Sequence, residues 1–140
     1  MARISVHRVT QVVMVRVLPT DAEAAALQAT VTTCNSAASW LSAVMHTERV
    51  LRKHNAQKRF YTELKLRFGL AAQPAIRVIA KVADAYTALR ANTDAGNYGP
   101  PGSLKRKTMA ATPIKFRAHA AQPFDARCLS WQIPAAVGAR

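Results

Sequence analysis

The apolar positions of this chain change period several times, and each change marks an element. From Val9 to Leu18 they are dense and β-branched, with Val13, Val15 and Val17 on one side of an extended backbone and Met14 and Arg16 on the other, which predicts a strand. Pro19 stops it. Thr20-Asp21-Ala22-Glu23 then forms a capping box, in which hydroxyl and carboxylate satisfy each other's orphan backbone N–H groups, so a long helix is expected from there. Its buried stripe is Leu27, Val31, Cys34, Ala38, Leu41 and Met45, stepping by three and four as one helical face requires.

Phe60, Leu64 and Phe68 repeat at helical spacing in a second segment, which Gly69 ends. A third helix is expected near Gln73-Pro74, because proline is tolerated in a first turn whose N–H groups lack helical partners. Its stripe is Ile76, Ile79, Ala80, Ala83, Tyr86 and Leu89, and Trp40 and Trp131 also fit a core. Between Asn92 and Thr112 the run Gly96-Asn97-Tyr98-Gly99-Pro100-Pro101-Gly102-Ser103 cannot propagate a helix, and Lys105-Arg106-Lys107 follows, so a basic loop is expected. Pro113-Ile114-Lys115-Phe116-Arg117 and Leu129-Ser130-Trp131-Gln132-Ile133 alternate in period two and predict further strands. Strand, helices and strands in that order make an α+β fold.

Composition sharpens the functional side. The 140 residues, 50% apolar, support one modest core, while twenty Lys and Arg against seven Asp and Glu leave a formal charge of +13. Such an excess repels itself unless a polyanion neutralises it, and phosphate backbones do so with release of condensed counterions. The cations are densest from Arg49 to Arg67, where Arg49, Arg52, Lys53, Lys58, Arg59, Lys65 and Arg67 face only Glu63. With Tyr61 among them, phosphate pairing and base stacking can combine on one helix face.

The remaining chemistry is sparse. Cys34 and Cys128 stand far apart with no C-x-x-C pair, which argues against a zinc knuckle and predicts two buried thiols in a reducing compartment. The N-terminal residues lack a signal-type apolar run, no stretch approaches the roughly 20 apolar residues that span a bilayer, and a cytoplasmic, membrane-free protein is expected. The seven acids are scattered; Glu63 is expected to face its basic neighbours and Asp84 to bridge to Lys81. They suggest no carboxylate cluster for two-metal phosphoryl chemistry, and His7, His46, His54 and His119 have no second imidazole at ligand spacing. Nucleotide-loop and nucleophile-elbow motifs are absent from the sequence, so no cofactor and no autonomous catalysis are expected.

Three stretches, taken in order, carry a family likeness: the opening strand into Leu18-Pro19-Thr20; Arg67-Phe68-Gly69-Leu70-Ala71-Ala72-Gln73 with Val82-Ala83-Asp84-Ala85-Tyr86; and Phe116-Arg117 followed by Ala121-Gln122-Pro123-Phe124-Asp125-Ala126-Arg127-Cys128-Leu129-Ser130-Trp131-Gln132. The chain resembles the N-terminal part of the OrfB or TnpB transposon-encoded proteins, RNA-guided DNA endonucleases related to type V CRISPR effectors. Ala120 stands where that family has the glycine of Gly-Ala-Gln-Pro. The resemblance implies an incomplete wedge-type β-barrel with an inserted helical recognition region of about three helices. Residues 1–19 would be the first barrel strand, 20–91 the insertion, 92–112 the basic loop and 113–140 further strands, stopping before the RuvC-like nuclease domain.

The resemblance also implies a division of labour in which base pairing reads the target and the protein neutralises backbones and senses a short flanking motif. The expected partners are RNA and duplex DNA, with association with a full-length nuclease as a further one. Expected contacts are Arg49, Arg52, Lys53, Lys58, Arg59, Tyr61, Lys65, Lys105, Arg106 and Lys107, with Gln73 placed to read a base edge at the start of the third helix. The rival readings are an inactive transposase remnant, and a regulatory binder that competes with a full-length relative.

Overall fold

The computed structural model describes residues 9–130. Among them four α-helices are the regular elements: α1 (Asp21–Glu48), α2 (Lys53–Phe68), α3 (Ala72–Asp94) and α4 (Leu104–Ala111). The first three pack pairwise on one another as an up-down-up bundle. Parallel running of α1 and α3 follows from two cross-links, Asn35 to Lys81 at one level and Ser42 to Tyr86 at the next.

Each helix begins and ends for a local reason. Thr20 is the N-cap of α1 and completes the capping box with Glu23, whose carboxyl is held below its usual value chiefly by the Thr20 backbone N–H and then by the Thr20 hydroxyl. Arg49 closes α1 in the left-handed region at φ 58°, and Gly69 closes α2 at φ 62°, where glycine meets no steric penalty. Pro74 sits in the first turn of α3.

The core is built from most of the expected stripes, although Leu27 is not part of it, Val31 and Ile76 are half-buried at its margin and Leu89 is half-buried against it. Cys34, Ala38, Leu41 and Met45 of α1 are fully buried against Phe60 and Leu64 of α2 and against Val78, Ile79 and Val82 of α3. Leu27 is exposed, because residues 21–30 carry α1 beyond the end of the bundle. Two polar residues are buried with the stripes, Asn35 and Ser42. Ser42 shares a 2.8 Å hydrogen bond with the Tyr86 hydroxyl, which also donates to the Ser42 carbonyl. Trp40 is partly buried, packed on Phe68 and covered by the Arg67 guanidinium.

The expected α+β barrel is corrected by the structure, which has no strand among the described residues. Val9–Leu18 forms no regular element and makes no backbone hydrogen bond to another described residue, with Val12 and Met14 at 90% and 95% exposure. A β-prone sequence becomes a strand only when a neighbour accepts its backbone hydrogen bonds, and none is present among the described residues. Residues 113–117 form no strand either, and they lie on the helices. The Phe116 N–H donates to Ser39 Oγ and the Ser39 hydroxyl donates back to the Phe116 carbonyl. Leu129 and Ser130 are exposed, the Leu129 N–H closes a turn on the Asp125 carbonyl at 2.9 Å instead of joining a ladder, and Trp131, Gln132 and Ile133 lie outside the described residues. The expected basic loop is also corrected: Ser103 caps the Arg106 N–H, and Lys105, Arg106 and Lys107 lie on α4.

The chain from Ile114 to Cys128 forms a strap along the groove between α1 and α3. The Asn35 amide donates to the carbonyls of Ala118 and Ala120, at 3.0 and 2.8 Å. Lys81 Nζ donates to Asn35 Oδ1 at 2.6 Å and to the Ala121 carbonyl at 2.8 Å, so it does not form the expected bridge to Asp84. Further along, Arg77 donates through Nε and Nη2 to Asp125 Oδ2 at 3.0 and 2.6 Å. Cys128 lies half-buried at this end of the strap rather than in the core.

Candidate nucleic-acid interface

At the end of the bundle where α1 hands over to α2, the chain returns through α4 and leaves a cleft of about 420 Å³. His46 fixes one corner through a 2.9 Å hydrogen bond between Nε2 and the Ala110 carbonyl. Leu51, Leu89 and Met109, all half-buried, join the buried Ala83 and Tyr86 as an apolar floor. The rim is charged and exposed: Arg49, Arg52, Lys53 and Arg90 stand with Asp84 and Asp94. Among the described residues the ion pairs are Arg59–Glu48, Arg77–Asp125 and Arg127–Asp125, so none of the six rim charges is neutralised by a salt bridge.

The helix ends accentuate that field. The opening turn of α2 carries Lys53 and no acid, and its N-cap Arg52 makes no side-chain capping bond, although a helix N-terminus favours negative charge. Asp94 closes α3 with no basic residue in the last turn, although a helix C-terminus favours positive charge. Both arrangements cost stability when the site is empty, and both are relieved by a ligand that brings anions to one side and donors to the other.

The structure divides the sequence-predicted residues into groups. Arg49, Arg52 and Lys53 meet at the cleft, and Lys105, Arg106 and Lys107 ride on the helix that supplies its Met109 and Ala110 wall. Lys105 lies 5.7 Å from the Tyr98 ring centroid, which props its ammonium at the surface. Lys58 is exposed on α2, whereas Arg59 is engaged by Glu48 in two hydrogen bonds of 3.0 and 3.1 Å. Tyr61 is half-buried against the core with Lys65 Nζ 5.3 Å from its ring centroid, so its face is partly covered. Gln73 sits at the far end of the bundle, separated from the cleft by the 16 residues of α2, about 24 Å at the helical rise. Its Oε1 is buried there without a hydrogen-bond partner among the described residues.

Asp84, Arg90 and Asp94 of α3 and Met109 of α4 complete the cleft, and sequence reasoning missed them because only tertiary packing brings them beside the α1–α2 elbow. Among the described residues no group of three or more His, Cys, Asp or Glu side chains is placed to hold a metal ion, and no helix is long and apolar enough to cross a membrane. Comparison with known proteins finds no matching family model, no matching curated protein and no matching solved structure.

Proposed function

We propose that this chain is a nucleic-acid-binding module that grips RNA or duplex DNA by its backbone and performs no bond cleavage itself. The observation that carries this reading is that Arg49, Arg52, Lys53 and Arg90, from two parts of the chain distant in sequence, line one cleft, while α4, which supplies its Met109 and Ala110, carries Lys105, Arg106 and Lys107 beside it. Unneutralised cations on adjacent rigid helices suit a polyanion whose charges repeat along its length. The formal charge of +13 supports the same class of partner, and the likeness to TnpB N-terminal parts adds RNA scaffold and target-flanking duplex as candidates. The chain would act as the gripping part of such a system, with chemistry supplied elsewhere.

Titration of the purified chain against a structured RNA and a duplex DNA at two salt concentrations tests this. Several phosphate contacts require log K to fall steeply with log salt, by about 0.9 per phosphate neutralised on duplex DNA. Binding that is absent, or indifferent to salt, rules the reading out.

A second reading, in which the chain works against a protein partner such as a full-length nuclease, is favoured by the exposed β-branched segment Val9–Leu18. Large apolar surface left bare in one chain is typical of an interface.

A further inference from the structure

We propose that the cleft between the α1–α2 elbow, α3 and α4 is a receptor for one unpaired nucleotide, with its base on the apolar floor and its flanking phosphates on the cationic rim. This rests on the nucleic-acid reading above and specifies what the nucleic acid must present. Phosphate gripping alone needs only exposed cations on a convex surface. Here the cations surround a concavity of about 420 Å³, within the range of about 300–1,000 Å³ that small-molecule sites occupy.

Three features select the occupant. The floor of Leu51, Leu89 and Met109 gains by covering an apolar, flat group, which a paired and stacked base does not offer and an extruded one does. The cations Arg49, Arg52, Lys53 and Arg90 call for anions at the mouth rather than inside. Asp84 and Asp94 call for hydrogen-bond donors between those anions. An acidic peptide satisfies the cations but is repelled by the carboxylates, and an alkyl anion leaves them without donors. A nucleotide satisfies all three: phosphates, a ring, and the exocyclic amino group of cytosine, adenine or guanine, which a carboxylate accepts as it does from cytosine N4 in DNA readout. Uracil and thymine lack that amino donor, so the cleft should disfavour them.

The site is testable without disturbing the bundle, because α4 buries none of its residues. Two RNA hairpins identical except for one bulged 2-aminopurine are titrated with the full chain, following both affinity and 2-aminopurine fluorescence. The bulged hairpin is expected to bind about tenfold more tightly, with a fluorescence change at saturation. Met109→Glu should abolish that preference, read as the ratio of the two hairpins' affinities, with the thermal transition unmoved. Asp84→Asn should narrow the gap between bulged cytosine and bulged uracil.

Salt-sensitive binding that is equal for both hairpins, with silent fluorescence, overturns the nucleotide site and leaves the proposed function standing. No binding to either hairpin overturns both. Met109-dependent binding of a glutamate-rich peptide that neither hairpin displaces also overturns the site.

Discussion

Lys81 Nζ lies 2.6 Å from Asn35 Oδ1, and from that pair the groove between α1 and α3 holds the carbonyls of Ala118, Ala120 and Ala121. Asn35 is 1% exposed, and burial lowers the pKa of the Lys81 ammonium, with the neighbouring Cys34 thiol opposing the shift. Asn35→Ala would leave a partly buried ammonium and two strap carbonyls short of partners. The expected loss is about 2–3 kcal/mol, read by chemical denaturation, with an unchanged helical spectrum at low denaturant. A change below about 0.5 kcal/mol would mean that the strap is not part of the cooperative unit.

The acid limit of stability should depend on Asp125. Its carboxyl is held below the ordinary value of 3.8, first by the Arg127 backbone N–H and then by the Arg77 guanidinium and the two arginine charges, against the opposing effect of burial. The folded state therefore binds fewer protons than the unfolded state in this range. The stability it contributes is complete above 3.8 and is lost as pH falls through the depressed value. Asp125→Asn should flatten that part of the stability profile. Glu23 acts with the same sign, so the difference between wild type and variant is the quantity to measure.

Binding should respond to Glu48 in the opposite sense from the other acidic residues' structural roles. Glu48 holds Arg59 through two hydrogen bonds, and releasing it frees a cation on the basic face of α2. Glu48→Gln is expected to strengthen RNA binding about twofold to threefold at low salt and to steepen the salt dependence. Replacing Arg52, Lys53, Lys105 and Lys107 together by Gln is expected to weaken binding at least about tenfold and to make it shallower in salt.

Core truncation gives a calibration of the bundle. Phe60 is 1% exposed and Leu64 fully buried at the centre of the three helices. Phe60→Ala should cost about 3–5 kcal/mol and Leu64→Ala about 2–5 kcal/mol, measured by reversible thermal or urea unfolding. Val13→Lys, on the exposed segment, should leave that stability unchanged.

The three bundle helices were legible in the sequence because their signals are local. Thr20 and Glu23, Gly69, Pro74 and the stripes through Leu41, Phe60 and Ile79 each act within a few residues. The strands were not legible, since pairing is a non-local property and Val9–Leu18 carries the composition without the partner. In the strap, the period-two alternation around Phe116 serves contact with helices instead of a sheet. The helix α4 was hidden by the Gly and Pro run before it, although Ser103 was readable as its N-cap. Of the candidate site, the cations were legible as charge runs. The cleft was not, because Arg90, Asp84 and Met109 meet only through tertiary packing.

The strap's anchors from Asn35 and Lys81 are addressed to main-chain carbonyls. The fold therefore asks little of the side chains of Ala118, Ala120 and Ala121 beyond small size. Among relatives, this stretch should drift in sequence while Asn35, Lys81 and the Arg77–Asp125 pair stay fixed. Kinship would then be easier to detect in those four positions than in the linear alignment of the strap they hold.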